Sequence, residues 1–415
     1  MNRLISRIVS GLLLLLASLS PVRAQSKGAN DANAAAYEIY STGDYKAAAA
    51  IYEKLLKDYP TDGIVSSVQL QLAFCYYFLA QFDHALNTLA KAESGPPLSP
   101  ELKQVADGLV PQILSAKAAA MPTADPKRNS TFEDAVAKFT GYIDKYPQAP
   151  DLENAIFSRA VAEYQLRKFD DAIGDLELNL QRFPQSSTAS KSKNLLAVTL
   201  ATQGSALLAT GDASAKTKAF KLYQRATDYL RDIIKKREDV ALINEANFQL
   251  GEILLNQAAY SPESERPGLY AEALAAYRAV APTQQIIALQ QDKLKEFTAK
   301  KAAALRANNA TLKRQLDRDN ERELKKLAEL QGKPDQTATA LLKMAEIYFQ
   351  QGRNNEARVV LNHVGPFLTR EEDKKRALYF TTMTYALQNA TDRATAGYNE
   401  FQSKYKGDTL ADNLP

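Results

Sequence analysis

The side chains that could do acid–base, nucleophilic or metal chemistry are few in this sequence of 415 residues. His84 and His363 are its two histidines, in different parts of the chain, and Cys75 is its one cysteine. A metal site needs several histidine, cysteine or carboxylate ligands at short spacings, and the sequence shows no such spacing. We therefore expect no metal ion and no other cofactor, and we interpret both histidines as surface or interhelical polar residues.

Other patterns that can mark an enzyme are incomplete. Ser190 and Lys193 have the Ser-x-x-Lys spacing of penicillin-recognising enzymes, but the Ser-Asp-Asn and Lys-Thr-Gly motifs that accompany it are absent from the sequence. The glycines are scattered, so there is no glycine-rich loop to hold a phosphate. Cys75 lies among apolar residues in LQLAFCYYFL, which is typical of a small buried hydrophobic residue. We predict no catalytic residues and no enzymatic activity.

The composition favours a helical protein without a nucleic-acid partner. Basic and acidic residues nearly balance, with 52 Lys and Arg against 48 Asp and Glu, and the two signs are interleaved. The chain has no tryptophan and 17 glycines, while Ala, Leu, Lys, Glu and Gln are frequent. These residues form helices more readily than strands, so we expect an all-α fold.

One small residue, one aromatic residue and one proline recur at a fixed spacing. The pattern is clearest in residues 43–60, where Ala48, Tyr52 and Pro60 carry it, and it returns in residues 131–147 and 168–184. Where two helices approach most closely only a small side chain fits, an aromatic one turn later fills the next gap, and proline ends the helix. The alanines equivalent to Ala48 are Ala85, Ala135, Ala172, Ala219, Ala273, Ala357 and Ala394.

These units resemble tetratricopeptide (TPR) repeats, which stack helical hairpins into a superhelix. The resemblance implies a superhelix of about eight units. We expect an N-terminal block in residues 25–282 and further units, which look incomplete, in residues 333–415. The closing GDTLADNLP resembles the entry to another first helix, so we expect either a longer protein or a partner or second copy that covers this end.

Residues 283–332 depart from the repeat. Residues 283–331 contain neither glycine nor proline, are dense in charge, and have apolar residues spaced mostly by three, four or seven. This pattern predicts either one long charged helix or, with a turn at residues 307–310, an antiparallel hairpin of the coiled-coil type. Either form is expected to separate two blocks of repeats.

The amino terminus has the features of a secretory signal peptide. Arg3 and Arg7 precede a short apolar run at residues 8–19, and Ala24 offers a cleavage site that would remove residues 1–24. An uncut membrane anchor is the alternative. No cysteine lies near the end of the apolar run, where a lipid would be attached, so we expect an exported, periplasmic or secreted protein that is not a lipoprotein.

Aromatic and leucine side chains cluster on the predicted first helices, whose faces line the concave side of a TPR superhelix. Such side chains bind a partner's apolar residues with little loss of side-chain entropy, although each could instead pack against the neighbouring helix. The candidate binding residues are Tyr37, Tyr40, Leu70, Phe74, Tyr77, Phe78, Phe157, Tyr164, Phe248, Leu342, Phe349 and Tyr379.

The repeat endings LKDYPTD, IDKYPQAPD, LQRFPQSS and QSKYKGDTLADN resemble those of bacterial envelope TPR proteins. Two such families are the outer-membrane assembly lipoprotein of the β-barrel machinery and the periplasmic TPR protein linked to the Tol-Pal system. The first has a lipid-attachment cysteine near residue 25, which this sequence lacks, and the second has its coiled coil before the repeats.

The resemblance implies a non-enzymatic scaffold that binds a protein or peptide and associates peripherally with envelope complexes, with its oligomeric state left open. The alternative is the helical part of a cell-wall or polysaccharide-processing protein whose catalytic part lies outside this chain.

Overall fold

The computed structural model describes residues 26–186, 188–307 and 310–414. Every regular element within these ranges is a helix, as the composition predicts. The expected signal peptide in residues 1–24 lies outside the described residues. None of the described helices is both long enough and apolar enough to cross a lipid bilayer.

The chain divides into two compact units, residues 1–195 and residues 196–415. In the described part of the first unit, each odd-numbered helix packs against the helix that follows it, so that the helices form successive hairpins. The helices are α1 Lys27–Thr42, α2 Tyr45–Asp58, α3 Val65–Phe78, α4 Phe82–Ser94, α5 Pro100–Ala120, α6 Lys127–Lys145, α7 Leu152–Gln165 and α8 Phe169–Arg182.

Helix α9, Ala189–Leu208, contains the division between the units. The described part of the second unit continues with hairpins of the same kind and two short 3-10 helices, Gly365–Phe367 and Thr409–Asn413. Its helices are α10 Ala213–Lys236, α11 Val240–Tyr260, α12 Arg266–Arg278, α13 Thr283–Arg306, α14 Ala310–Gln331, α15 Thr337–Gln350, α16 Asn354–Val364, α17 Glu371–Ala386 and α18 Thr391–Lys404.

The alanines that define the repeat lie in the helix interfaces. All but the last of them are 0% exposed, namely Ala48, Ala85, Ala135, Ala172, Ala219, Ala273 and Ala357. The aromatic residues one turn later are equally buried, since Tyr52 and Tyr223 are 0% and Tyr277 is 1% exposed. The predicted all-α fold of TPR-type helical hairpins is therefore confirmed.

In three hairpins a glycine on the first helix makes room for a tyrosine of the second. A Cβ atom added to the glycine would lie within 3.0 Å of the tyrosine ring in each case, at Gly108 against Tyr142 (3.0 Å), Gly204 against Tyr223 (2.8 Å) and Gly251 against Tyr277 (2.7 Å). A carbon atom does not fit at that distance in a close-packed interior. In these hairpins the aromatic residue of the second helix is thus matched by a glycine on the first helix.

The last hairpin differs from the predicted pattern. Ala394 is partly exposed, whereas a Cβ atom at Gly397 would lie 2.3 Å from the Thr382 hydroxyl. The closest approach of α17 and α18 is therefore at Gly397, one helical turn after the predicted alanine.

The ends of the second helices follow the sequence closely. Helices α2, α6 and α8 end two residues before Pro60, Pro147 and Pro184, because the residue before proline avoids the α-helical conformation. Gly43 and Gly352 connect the helices of two hairpins with φ of 91° and 70°, a left-handed conformation that glycine adopts without strain.

The charged segment folds as two helices, α13 and α14, that pack against each other. Lys301 Nζ of α13 lies 2.5 Å from Asp317 Oδ1 of α14, and Gln290 donates to the carboxylate of Glu323 at 2.8 Å. Of the predicted turn at residues 307–310, Asn308 and Asn309 lie outside the described residues.

This hairpin interrupts the repeats in sequence, and the helices on either side of it are in contact. Helix α12 before the insertion packs directly against α15 after it. The Tyr270 hydroxyl donates to Gln350 at 2.9 Å, and Arg278 donates to the Tyr348 hydroxyl. The backbone N–H of Thr283 donates to Asp335 at 3.0 Å, so the two ends of the insertion meet.

The closing residues do not begin a further α-helix within the described range. Residues 409–413 form a 3-10 helix. Ala411 and Leu414 pack with Phe401 of α18, which is 0% exposed. The apolar side chains of the closing segment therefore cover part of the last hairpin.

Candidate functional site

Four of the predicted binding residues in the first unit belong to its core. Tyr40, Leu70, Phe74 and Tyr77 are 3%, 0%, 1% and 6% exposed. They pack between α1, α2 and α3 because the first helices contact one another as well as their own second helices. A partner cannot reach these side chains in this conformation, so the structure does not support them as binding residues.

Tyr37 and Phe78 lie at the edge of the same core and are only half-buried. The Phe78 ring stacks on Tyr45 with centroids 4.4 Å apart, and Tyr37 stacks on Tyr40 at 6.2 Å. On α7, Phe157 and Tyr164 are also half-buried. In the first unit these four residues keep exposed area that a partner could contact.

The predicted residues of the second unit lie on three first helices. Phe248 of α11, Phe349 of α15 and Tyr379 of α17 are half-buried, whereas Leu342 is 0% exposed and belongs to the core. Phe349 meets Phe380 edge to face with centroids 5.7 Å apart, and Phe380 in turn contacts Tyr379 at 5.3 Å. Across α15 and α17 the structure therefore brings Phe349 against Phe380, whereas Tyr379 also lies against Phe401 of α18, with ring centroids 6.5 Å apart.

Charged side chains one turn away from these aromatic residues form a row across the same three helices. Lys343 Nζ lies 3.9 Å from Glu252 Oε1 and 3.7 Å from Glu346 Oε2. Arg376 donates to Glu346 Oε2 at 3.0 Å. The side chains are between 21% and 36% exposed, so each remains within reach of a ligand.

We call the surface formed by Phe248, Glu252, Lys343, Glu346, Phe349, Arg376 and Tyr379 the first-helix surface. It combines aromatic rings with two negatively charged carboxylates and two positively charged side chains. Such a surface offers hydrogen-bond donors and acceptors for a peptide backbone beside apolar contact area for side chains.

Contacts beneath this surface hold its charged groups in place. The Tyr277 hydroxyl, on a ring that is 1% exposed, donates to Glu252 Oε1 at 2.5 Å. Burial and the adjacent Glu252 carboxylate raise the pKa of Tyr277 well above its ordinary value, so the phenol keeps its proton. Glu252 is thus fixed from below by a permanent hydrogen-bond donor.

The first unit contains a second charged cluster, which lies between its helices. Arg159 of α7 donates to both carboxylate oxygens of Asp175 at 2.6 Å and to the Thr140 hydroxyl at 3.0 Å. Glu163, one turn further along α7, is 6% exposed, and its Oε2 atom has no hydrogen-bond partner among the described residues. Burial and the negative charge of Asp175 raise the pKa of Glu163, although Arg159 opposes this shift.

The histidines and the cysteine are placed as structural residues. His84 lies against Tyr76 and His363 against Phe367, with ring centroids 5.5 and 6.3 Å apart. Cys75 is 0% exposed, and burial raises the pKa of its thiol to about 12. The described residues contain no group of three or more His, Cys, Asp or Glu side chains arranged to hold a metal ion.

The charged row was not among the residues predicted from the sequence. A signal for it exists, because Glu252 follows Phe248 by four residues, Glu346 precedes Phe349 by three and Arg376 precedes Tyr379 by three. Residues at these spacings share a helix face. The sequence does not show that Lys343 lies beside Glu252. This contact depends on the packing of α12, before the inserted hairpin, against α15, after it.

Comparison with known proteins supports the repeat assignment. Residues 24–62 and 339–364 match the tetratricopeptide repeat family. No sequence among the curated proteins matches it.

Several solved structures match the chain. The apo form of RapI is 10% identical in sequence with a TM-score of 0.52, and the similarity covers 91% of this chain and 87% of that one. A TPR protein from Parabacteroides merdae is 10% identical with a TM-score of 0.38 over 94% and 98% of the two chains. The C-terminal part of a TPR protein from Cytophaga hutchinsonii is 13% identical with a TM-score of 0.40 over 92% and 98%.

Proposed function

We propose that this protein is a non-enzymatic scaffold that binds a protein or peptide partner on its first-helix surface. The observation that carries the proposal is the row from Glu252 through Lys343 and Glu346 to Arg376 across three first helices, flanked by half-buried aromatic rings.

The chemistry of the surface favours an extended peptide or a partner helix. Lys343 and Arg376 donate to carbonyl or carboxylate groups, and Glu252 and Glu346 accept from N–H groups or cations. Phe349 and Tyr379 supply rigid apolar contact area, which makes aromatic residues frequent anchors in interfaces. TPR arrays present such surfaces to ligands.

A peptide-display selection on the immobilised chain tests this proposal. Peptides enriched on the wild type are measured against Lys343→Glu and against the matched control Lys221→Glu, which has the same change of charge at an exposed position on α10. We expect the control to bind as the wild type does and Lys343→Glu to bind about tenfold or more weakly.

A second variant, Phe349→Ala, removes an aromatic anchor without changing charge, and circular dichroism shows whether each variant keeps its helices. Equal binding by wild type, Lys343→Glu and Phe349→Ala would refute the first-helix surface as the binding site. A selection that enriches no specific peptide would count against peptide binding itself.

We also propose that the protein is exported to the periplasm or secreted after removal of residues 1–24, and that it associates peripherally with envelope complexes. The basic start, the short apolar run and Ala24 support this. Cell fractionation followed by amino-terminal mass analysis tests it. A periplasmic chain that begins at Gln25 is expected, and a cytoplasmic chain that retains residues 1–24 would refute export.

A further inference from the structure

Charge is unevenly distributed along the α13–α14 hairpin. Residues 298–316, around its turn, include five basic residues and no acidic residue. The remaining residues, 283–297 and 317–331, include six basic and seven acidic residues. The hairpin therefore has a basic end and a nearly neutral base.

The same end exposes apolar side chains. Leu305 of α13 and Leu312 of α14 are 53% and 42% exposed. Further from the turn, Leu294 and Leu316 lie in the seam between the helices and are 9% and 7% exposed, whereas Leu289 and Leu324 are 49% and 48% exposed in the part where charges of both signs alternate. Exposed leucines beside cations are typical of segments that insert into the surface of an anionic membrane.

The cations at this end are accessible. Lys300 is 63% and Lys301 39% exposed in their side chains, and Arg306 is exposed. Lys301 is paired with Asp317 at 2.5 Å, and Lys300 lies 3.7 Å from Glu296. We call Lys300, Lys301, Leu305, Arg306, Leu312 and Lys313 the hairpin tip.

The base of the hairpin is anchored to the repeats. Lys326 of α14 lies 2.9 Å from Asp239, the residue before α11, and 3.4 Å from Glu323. Gln290 of α13 faces Glu323 at 2.8 Å. From Gln290 to Arg306 the helix rises roughly 24 Å at about 1.5 Å per residue.

We propose that the hairpin tip docks on a membrane surface rich in anionic lipid, with Leu305 and Leu312 entering the headgroup region. The end of a two-helix hairpin offers far less area than the roughly 800 Å² per partner of a stable protein interface. A lipid surface does not require that area, because each Lys or Arg near an anionic leaflet strengthens binding about fivefold and the leucines add apolar burial. This inference is independent of the first-helix surface.

Vesicle sedimentation tests the proposal. The chain is purified without residues 1–24, whose apolar run would itself bind lipid, and is mixed with vesicles of phosphatidylcholine alone or with one third phosphatidylglycerol. The tip variant is Lys300→Glu/Arg306→Glu. The matched control is Lys46→Glu/Lys168→Glu, which makes the same change of net charge at exposed residues where α2 and α8 begin.

We expect the wild type and the control to bind the anionic vesicles, not the neutral ones, and to be released by high salt. The tip variant reverses two charges, and each Lys or Arg near an anionic leaflet contributes about fivefold to binding. The variant should therefore bind the anionic vesicles about 100-fold or more weakly than the wild type. Leu305→Ser should weaken it by about three- to tenfold without changing the salt dependence.

Several outcomes would overturn the proposal. Equal binding by the wild type and the tip variant would show that the tip is not the lipid contact, and equal binding to neutral vesicles would exclude an electrostatic surface. A poly-glutamate peptide bound as tightly as the vesicles, with the same loss in the tip variant, would assign the tip to an acidic protein instead. Circular dichroism of each variant shows that lost binding does not reflect lost helix.

Discussion

Replacing Gly251 by alanine tests the close approach of the two helices in the α11–α12 hairpin. The added Cβ would lie 2.7 Å from two ring atoms of Tyr277 and 2.8 Å from a third. The ring has little freedom to retreat, because it is 1% exposed, its hydroxyl is bonded to Glu252 at 2.5 Å and Phe248 meets it edge to face at 6.0 Å. Overpacking of this kind costs about 1–3 kcal/mol.

Alanine also gains about 1 kcal/mol over glycine inside a helix, so we expect a net loss of about 0–2 kcal/mol in the free energy of unfolding. The control is Gly268→Ala in α12 of the same hairpin, where an added Cβ meets nothing within 4 Å and only the helix gain of about 0.5–1 kcal/mol remains. Urea denaturation followed by circular dichroism measures both.

A double variant removes the ambiguity between crowding and any other effect of the methyl group. If the ring is the cause, Gly251→Ala should cost little or nothing in a Tyr277→Ala background, and the coupling energy should be about 1–3 kcal/mol. The reasoning fails if Gly251→Ala is as stable as Gly268→Ala, or if its cost is unchanged when Tyr277 is absent.

Three further predictions concern buried titratable groups. Burial and the charge of Asp175 raise the pKa of Glu163, so folding takes up a proton at this carboxylate and wild-type stability should fall as the pH rises above about 4.5. Glu163→Gln should remove that fall and be more stable than the wild type at pH 8 by on the order of 2 kcal/mol. Parallel pH profiles of the free energy of unfolding for the two proteins would contradict this. Burial opposes ionisation of Glu323, but the Gln290 hydrogen bond and the Lys326 charge lower its pKa overall, so its stabilising contribution is present above the ordinary glutamate pKa and lost as the pH falls through the lowered value. Lys326→Met should therefore cost about 1–3 kcal/mol at pH 7 and less at pH 3 in urea titrations, and an equal cost at both pH values would be inconsistent with the charge pair. Since burial raises the pKa of Cys75 to about 12, its thiol should react with a disulfide reagent only after unfolding, and rapid labelling of the native protein would refute its burial.

The fold could be predicted from the sequence because each step of the repeat depends on local chemistry. The repeat is marked by an alanine at the helix crossing, an aromatic residue one turn later and a proline after the helix. These three residues lie within about fifteen positions of one another, so their spacing can be recognised in the sequence. Ala394 is the exception. The last hairpin meets at Gly397, and nothing in the spacing shows which of two small residues on α18 faces Thr382.

The binding residues were less predictable, because the core and the free surface of a first helix differ by one step around it. Position along the helix matters too, since Phe74 and Phe78 share a face of α3, yet Phe74 is 1% exposed and Phe78, at the end of the helix, is half-buried. The charged row depends on the insertion. Glu252 and Lys343 are far apart in sequence, and they meet only because α12 packs against α15 past residues 283–332.

The way the inserted hairpin joins the repeats has a consequence for how such a protein changes over evolutionary time. The polypeptide departs at Thr283 and returns at Asp335, and a hydrogen bond of 3.0 Å joins these two residues. An insertion whose two ends meet in this way can be lengthened, trimmed or exchanged while the helices on either side keep their register. Its ancestry and its binding preferences are then free to diverge from those of the array that bears it, and the same junction is a natural place to graft a foreign module.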